Sequence, residues 1–328
     1  MLKSLIIFSI VSFVFTLFVL PWLIRYLKGI NLFVKDQNKE NTPLVPISGG
    51  LAVAAGISAS ILFVIFIETF YFKTADKNLV YLLAGLTTIL IITFIGFVDD
   101  LIIKTSKDSS IGLKQWQKPL LTLPASVPLI VVNAGITIIT IPFIKTLDVG
   151  ILYPLLLIPI GVLGASNMVN MLAGFNGSEA GMALIYTGML GAYAVTNDRY
   201  IGAVFAFTAF GAILAFFLFN KFPSKILPGD SLTYLLGAVL VCIAVLGNIE
   251  KAALIASIPF FIEFILKARS KFKAQSYGFY KDGKIQSRYE KIYSIPHILT
   301  RSGKYTEKQV TLFMMVIELF FCSLIWFI

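Results

Sequence analysis

Histidine occurs once in these 328 residues, cysteine twice, and only 13% of the chain is charged. Each shortage excludes something. Cys242 and Cys322 both lie inside apolar runs, with no spacing suited to a disulfide or a zinc site, so both are expected to be inert packing groups. The single histidine, His297 in "SIPHILTRSG", is assigned no general-base role. Soluble domains carry about a quarter charged residues. A chain this poor in charge, 58% hydrophobic with a mean hydropathy of +0.88, is an integral membrane protein. The net charge of +10 does not indicate a nucleic-acid partner, because the basic residues fall between apolar runs instead of lining one face. The opening "MLKSLIIFSIVSFVFTLFVLPWLI" lacks a small-residue cleavage site, and its apolar core is too long for a signal peptide. It reads as a retained first span.

A helix needs roughly 20 apolar residues to cross the hydrocarbon. Ten runs qualify, near 4–24, 49–67, 79–98, 119–137, 151–170, 180–196, 201–219, 231–248, 252–267 and 309–328, the fourth interrupted by Pro124 and Pro128. Backbone amides in lipid must be satisfied within the segment, and such long runs without strict alternation exclude a barrel. The expected fold is all-α: about ten transmembrane helices in one bundle, a single polytopic membrane domain over 1–328. The loops after the odd-numbered spans hold 21 of the 27 Lys and Arg, which puts those loops in the cytoplasm and both termini outside. The other six are Lys3, Lys73, Lys77, Lys145, Arg199 and Lys251. The longest loop, 267–308 between the ninth and tenth spans, is strongly basic.

What is polar without being merely basic gathers at the cytoplasmic ends. "FIGFVDDLIIK" closes the third span with Asp99 and Asp100, "NMVNMLAGFNGSEAG" closes the fifth, and "NKFPSKILPGDSLTYLLG" carries Asp230 into the eighth. Carboxylates near the hydrocarbon boundary are functional-site candidates, and adjacent aspartates repel unless a cation or lysine offsets them. Three aspartates and several carboxamide oxygens suit a hard ion such as Mg²⁺, which shares its shell with water and substrate phosphates. The inferred chemistry is phosphoryl transfer between a soluble donor and a lipid acceptor at the inner surface. Blander readings stand beside it. A "DD" pair also ends helices in solvent, Asn167 and Asn170 on one helical face also join neighbouring helices, and Asp230 after Pro-Gly also caps a helix. Glu179 either caps the sixth helix or touches substrate, and Glu263 and Glu318 lie within the ninth and tenth spans. A transporter would also carry polar groups and glycine breaks, but near the midplane and open to both faces.

The blocks "GFVDD", "NMVNMLAGFNGSEAG" and "FPSKILPGD", in this order, resemble the polyprenyl-phosphate N-acetylhexosamine-1-phosphate transferases. The resemblance runs from "VPISGG" through the tenth span and is closest to the eukaryotic and archaeal branch, which acts on UDP-N-acetylglucosamine (UDP-GlcNAc) and dolichyl phosphate. It implies ten helices with both ends out and transfer of GlcNAc-1-phosphate to a polyprenyl phosphate with release of UMP. Mg²⁺ is the implied cofactor, with Mn²⁺ as a substitute. It implies Asn170 and Asp230 as metal ligands, and Asp99, Asp100 and Lys118 as catalytic residues, Lys118 contacting phosphate. Asn176 with the backbone at Gly174 is the implied uridine contact; Asn167 and Glu179 are further candidate substrate contacts from their place in the same block. Arg269, Lys271 and Lys273 are the nearest counterparts of the family's basic sugar-diphosphate contacts. The implied partners are UDP-GlcNAc and a polyprenyl or dolichyl phosphate in the cell membrane; a homodimer is a further candidate assembly that the sequence does not decide. Three departures matter. The loop lacks the histidine-rich motif of the bacterial branches, which argues against phospho-MurNAc-pentapeptide as donor. Ile47 stands where the eukaryotic branch has an acidic residue, and Leu227 where it has an aromatic.

Overall fold

The computed structural model describes residues 1–103, 116–140 and 146–328; Lys104, Lys107, Lys114 and Lys145 of the charge count lie outside them. Helix dominates. The helices are α1 (Leu2–Gly29), α2 (Gly50–Ile67), α3 (Ala75–Ile103), α4 (Gln117–Thr122), α5 (Val127–Val132), α6 (Ile158–Leu172) and α7 (Ser178–Thr196). They continue with α8 (Tyr200–Asn220), α9 (Gly229–Gly247), α10 (Glu250–Ala256), α11 (Ile258–Ala268), α12 (His297–Thr300) and α13 (Glu307–Ser323).

Among the described residues seven helical stretches are long and apolar enough to cross a membrane: Leu2–Gly29, Gly50–Phe72, Asn78–Ile102, Tyr153–Leu172, Tyr200–Asn220, Gly229–Gly247 and Glu307–Phe327. The protein is therefore a multi-pass helical membrane protein. The other three apolar runs are helical too, but each differs for a visible reason. The fourth run is split into α4, a 3₁₀ turn over Leu123–Ser126 and α5, where Pro124 and Pro128 remove backbone donors. The ninth is broken between α10 and α11 at Ser257, next to Pro259. The sixth, α7, is a continuous 19-residue helix made less apolar by Glu179 and by Ser178, Tyr186, Thr187, Tyr193 and Thr196.

Among the described residues three short antiparallel strand pairs qualify the expectation of helices alone. They pair β1 (Phe33–Lys35) with β2 (Leu44–Pro46), β3 (Ile138–Thr140) with β4 (Thr146–Asp148), and β5 (Phe279–Lys281) with β6 (Lys284–Gln286). All three sit in connections between the apolar runs, where strand edges are not left facing lipid. The last had a signature in the sequence: Asp282 (φ 49°) and Gly283 (φ 80°) form the left-handed Asp-Gly pair of a two-residue hairpin turn.

The bundle is built around α9. In its apolar window 78% of residues are buried, against 28% in α1, so α9 is the central helix and α1 a peripheral one. Helices α2, α3, α6 and α8 pack around α9, while α13 packs on α7 and α1 on α8. Gly96 decides how closely α3 approaches. A Cβ there would lie 2.4 Å from the Asp230 carbonyl oxygen, so only glycine lets the end of α3 rest on the first turn of α9. That contact brings Asp99 and Asp100 beside Asp230.

Candidate active site at the helix ends

A cavity of about 570 Å³ opens where α6, α9 and α11 end or begin, walled further by β1 and by the segment after α11. Lys118 enters it from α4, and its ammonium stands between two carboxylates. Nζ lies 2.8 Å from Asp99 Oδ2 and 2.6 Å from Asp230 Oδ2. The Tyr234 hydroxyl reaches the same Asp99 oxygen at 3.5 Å. Asp230, Asn170, Asn167 and Lys118 line the cavity; Asp99 and Asp100 are fully buried behind that lining.

The adjacent aspartates thus have different surroundings. Asp100 accepts from the Ser48 hydroxyl at 2.8 Å, the Asp230 N–H at 2.7 Å and the Ser231 N–H at 3.2 Å. It satisfies two of the orphan donors at the start of α9 and places a negative charge at that helix's positive end. Gly229 makes this possible: its φ is +71°, and a Cβ would lie 2.4 Å from Asp100 Oδ2. Asp230 itself, in the first turn, points to the cavity. Asn170 joins it because Thr233, one turn further along α9, donates to Asn170 Oδ1 at 3.2 Å.

This donor set fits a hard divalent ion. The described residues include no cluster of three or more His, Cys, Asp or Glu arranged to hold a metal, but none is required. A small hard ion is commonly held by one or two carboxylates, water and substrate phosphates. Asp230 and Asn170 offer hard oxygens to the cavity, and the ammonium between Asp99 and Asp230 shows that the place accepts a cation.

The turn after α6 is tied down by its own polar groups. Gly174 donates its N–H to Glu179 Oε1 at 2.8 Å and accepts from Asn38 Nδ2 at 2.5 Å. Glu179 also accepts from the Ser178 hydroxyl at 2.8 Å, so it holds the turn into α7 while remaining in the cavity wall. Asn176 is a junction of four segments. Its Nδ2 donates to Asp36 Oδ2 at 3.1 Å, its Oδ1 accepts from the Ser224 N–H at 3.1 Å, and its N–H donates to Glu307 Oε1 at 2.8 Å. Thr311 closes the junction on the Asn176 carbonyl at 3.1 Å, and Lys39 pairs with both Asp36 and Glu307. Asn167 donates to the Leu163 carbonyl at 2.8 Å.

The basic residues of the long loop are placed differently from the expectation. Arg269, Lys271 and Lys273 do not line the cavity: all three are exposed, and Arg269 caps the Ile292 carbonyl at 3.3 Å. The reason is local. Lys271 (φ 53°) and Phe272 (φ 59°) turn the chain through the left-handed region directly after α11. From this part of the chain the cation that joins Lys35 and Lys118 in lining the cavity is Lys267, one turn earlier, hydrogen-bonded to the Ala274 carbonyl at 2.8 Å and 3.6 Å from Glu263.

Glu263 now has a visible role. It accepts from the Ser294 hydroxyl at 2.6 Å and the Ile295 N–H at 2.8 Å, which pins the far part of the loop to α11. His297 likewise holds the loop. Its Nε2 lies 3.0 Å from the Gln275 carbonyl and its Nδ1 accepts from the Tyr293 N–H at 3.3 Å, an arrangement for the neutral ring. Burial lowers its pKa to about 4. Sequence reading missed Lys267, Gln275 and Tyr277, and also Asp36 and Gln37 after β1, all of which line the cavity. No motif marks them; for Lys267, its place at the end of the ninth apolar run was a usable signal.

Residues 81–248 match glycosyl transferase family 4. The chain is 33% identical over 315 residues to a Saccharolobus solfataricus protein provisionally named UDP-N-acetylglucosamine–dolichyl-phosphate N-acetylglucosaminephosphotransferase, covering 95% of this chain and 92% of that one. A Sulfolobus acidocaldarius protein of the same provisional name is 33% identical over 318 residues, covering 96% and 93%. A phospho-N-acetylmuramoyl-pentapeptide-transferase of Halalkalibacterium halodurans is 31% identical over 303 residues, covering 88% and 89%.

Proposed function

The chain belongs to glycosyl transferase family 4, and we propose that it transfers GlcNAc-1-phosphate from UDP-GlcNAc to a polyprenyl, dolichyl-type phosphate. UMP leaves and GlcNAc-diphosphopolyprenol forms, the first step of a lipid-linked glycan. The observation that carries the reading is the partly buried Asp99–Lys118–Asp230 cluster, with Asn170 beside it, in a cavity large enough for a sugar nucleotide at the ends of membrane helices. The names of the archaeal relatives supply the donor and acceptor. We infer ten crossings with both termini outside and the cavity facing the cytoplasm, because 21 of the 27 basic residues flank that side.

Asp230 and Asn170 would hold Mg²⁺, which when bound neutralises diphosphate charge as it builds during transfer. The remaining work belongs to the chain. A lipid phosphate monoester is already largely ionised near neutral pH, so positioning and charge matter more than a strong base. A phosphate oxygen of the lipid attacks the sugar-linked phosphorus, the bond from that phosphorus to the bridging oxygen breaks, and UMP departs with that oxygen. Lys118 is placed to follow the diphosphate charge. Asp99 holds Lys118 from behind, and Asp100 keeps the first turn of α9 in place. Direct attack is favoured over a covalent aspartyl intermediate, since neither Asp99 nor Asp100 lines the cavity.

The test is incubation of detergent-solubilised protein with polyprenyl phosphate, Mg²⁺ and radiolabelled UDP-GlcNAc, with UDP-MurNAc-pentapeptide as the competing donor. Lipid-soluble label with equimolar UMP from UDP-GlcNAc is the expected result. Label from the pentapeptide donor alone would overturn the donor assignment, and none from either would overturn the function.

A further inference from the structure

We propose that Gln275 is a specificity-determining contact that reads an amide group of the donor nucleotide-sugar. The inference rests on the donor reading above and adds to it a residue from the long loop.

Its backbone is held on every side. Ala274 donates to the Ser270 hydroxyl at 3.1 Å and accepts from Lys267 at 2.8 Å. Gln275 donates its N–H to the Tyr289 hydroxyl at 3.1 Å and its carbonyl meets His297 Nε2 at 3.0 Å. The Ser276 hydroxyl donates to the Met171 carbonyl at 2.8 Å, and Gly278 donates to Asn38 Oδ1 at 3.1 Å. A segment clamped this way presents its side chains in fixed positions.

The Gln275 side chain is half-buried in the cavity wall, and among the described residues its carboxamide has no hydrogen-bond partner. The other carboxamides of the wall are engaged. Gln37 accepts from Arg288, Asn167 donates to Leu163, Asn170 accepts from Thr233, and Asn176 is engaged at both ends. A carboxamide has one acceptor and two donors, and a half-buried one left unmatched loses hydrogen bonds that a ligand can restore. Phosphate oxygens only accept, a demand Lys118 and Lys267 already meet, and a sugar hydroxyl donates and accepts through one atom instead of two adjacent ones. A group that both donates and accepts pairs best with another amide. A UDP-N-acetylhexosamine carries two, the acetamido group of the sugar and the imide edge of uracil. The imide presents N–H and C=O side by side, so it can form two parallel bonds with Gln275, whereas the trans acetamido forms one.

The experiment uses the full chain in detergent with Gln275→Met, similar in size but without the carboxamide. The side chain makes no internal bond, so the variant should unfold at the wild-type temperature. Dissociation constants for UDP-GlcNAc, UDP-glucose and UDP are measured by calorimetry, alongside kcat/KM for UDP-GlcNAc. One net hydrogen bond corresponds to roughly a tenfold change in affinity. If Gln275 reads the acetamido, the variant loses about tenfold for UDP-GlcNAc and nothing for UDP-glucose or UDP. If it reads uracil, all three weaken together by tenfold or more. Constants within twofold of wild type for all three ligands overturn the proposal. A wild-type enzyme that binds UDP-GlcNAc without turning it over would sink the functional reading and leave these binding outcomes intact.

Discussion

Replacing Lys118 with glutamine removes the ammonium between Asp99 and Asp230 and leaves two carboxylates at the end of the bundle without it. At 2.6 and 2.8 Å, each ammonium–carboxylate attraction is about 6 kcal/mol at an effective dielectric constant of 20. Desolvation of all three groups offsets much of that. Breaking a buried pair by removing one member costs about 3–5 kcal/mol, and the 22% exposure of the Lys118 side chain places this site near the lower end. Lys118→Gln in chelator should therefore unfold several degrees below wild type in a thermal scan followed by intrinsic fluorescence. Mg²⁺ or Mn²⁺ should then raise the variant's midpoint more than the wild type's, because binding no longer has to displace an ammonium. The mechanism is linkage: a ligand that binds only the folded state stabilises it in proportion to RT ln(1 + [L]/Kd). Turnover should still fall by roughly 100-fold or more, the scale of losing a preorganised electrostatic contact. A variant that melts like wild type in chelator, or responds to the ion no more than wild type, refutes the reasoning.

Gly229→Ala should abolish activity and lower the unfolding temperature, since its methyl would displace the carboxylate that caps α9; retained activity in a purified sample would remove that role from Asp100. Asp230→Ala and Asn170→Ala should each reduce kcat by about 100- to 1,000-fold if they hold the ion, read in the labelled-lipid assay. Arg269→Ala, Lys271→Ala and Lys273→Ala should leave kcat/KM within about threefold of wild type, whereas Lys267→Ala should weaken UDP-GlcNAc binding tenfold or more; the reverse order would restore the sequence-based expectation. His297 is held neutral in the folded loop, with its pKa lowered from 6.5 to about 4. In the unfolded chain it takes up a proton as the pH falls through 6.5, and in the folded chain only near 4, so it contributes stability above 6.5 that is lost progressively between those values. Thermal midpoints measured from pH 7.5 to 4 should fall less steeply in His297→Gln than in wild type.

The fold was legible where the signal was local. All ten apolar runs are helical, because a run of nonpolar residues with intact backbone donors has no other satisfied conformation in lipid. Breaks at Pro124, Pro128 and Pro259 follow from missing donors. The β5–β6 hairpin has a local signature in Asp282-Gly283. At the site, Asp99, Asn170 and Asp230 are marked by residue type and motif and Lys118 by the family resemblance, and the four lie side by side in the structure. Arg269, Lys271 and Lys273 are the nearest counterparts of the family's basic contacts, and that resemblance does not report the left-handed turn at Lys271 and Phe272 that follows α11.

Composition and spacing alone determined that this is a multi-span membrane protein whose polar motifs cluster at the ends of a few helices, because both properties are written residue by residue. Only the tertiary structure decided how the two adjacent aspartates divide. Asp100 turns to the backbone of α9 and Asp99 to Lys118, since the close approach of α3 at Gly96 fixes which carboxylate meets a helix end and which meets an ammonium. Asp100 and the Asp230 N–H it accepts from are 130 residues apart in sequence and leave no local trace of that choice.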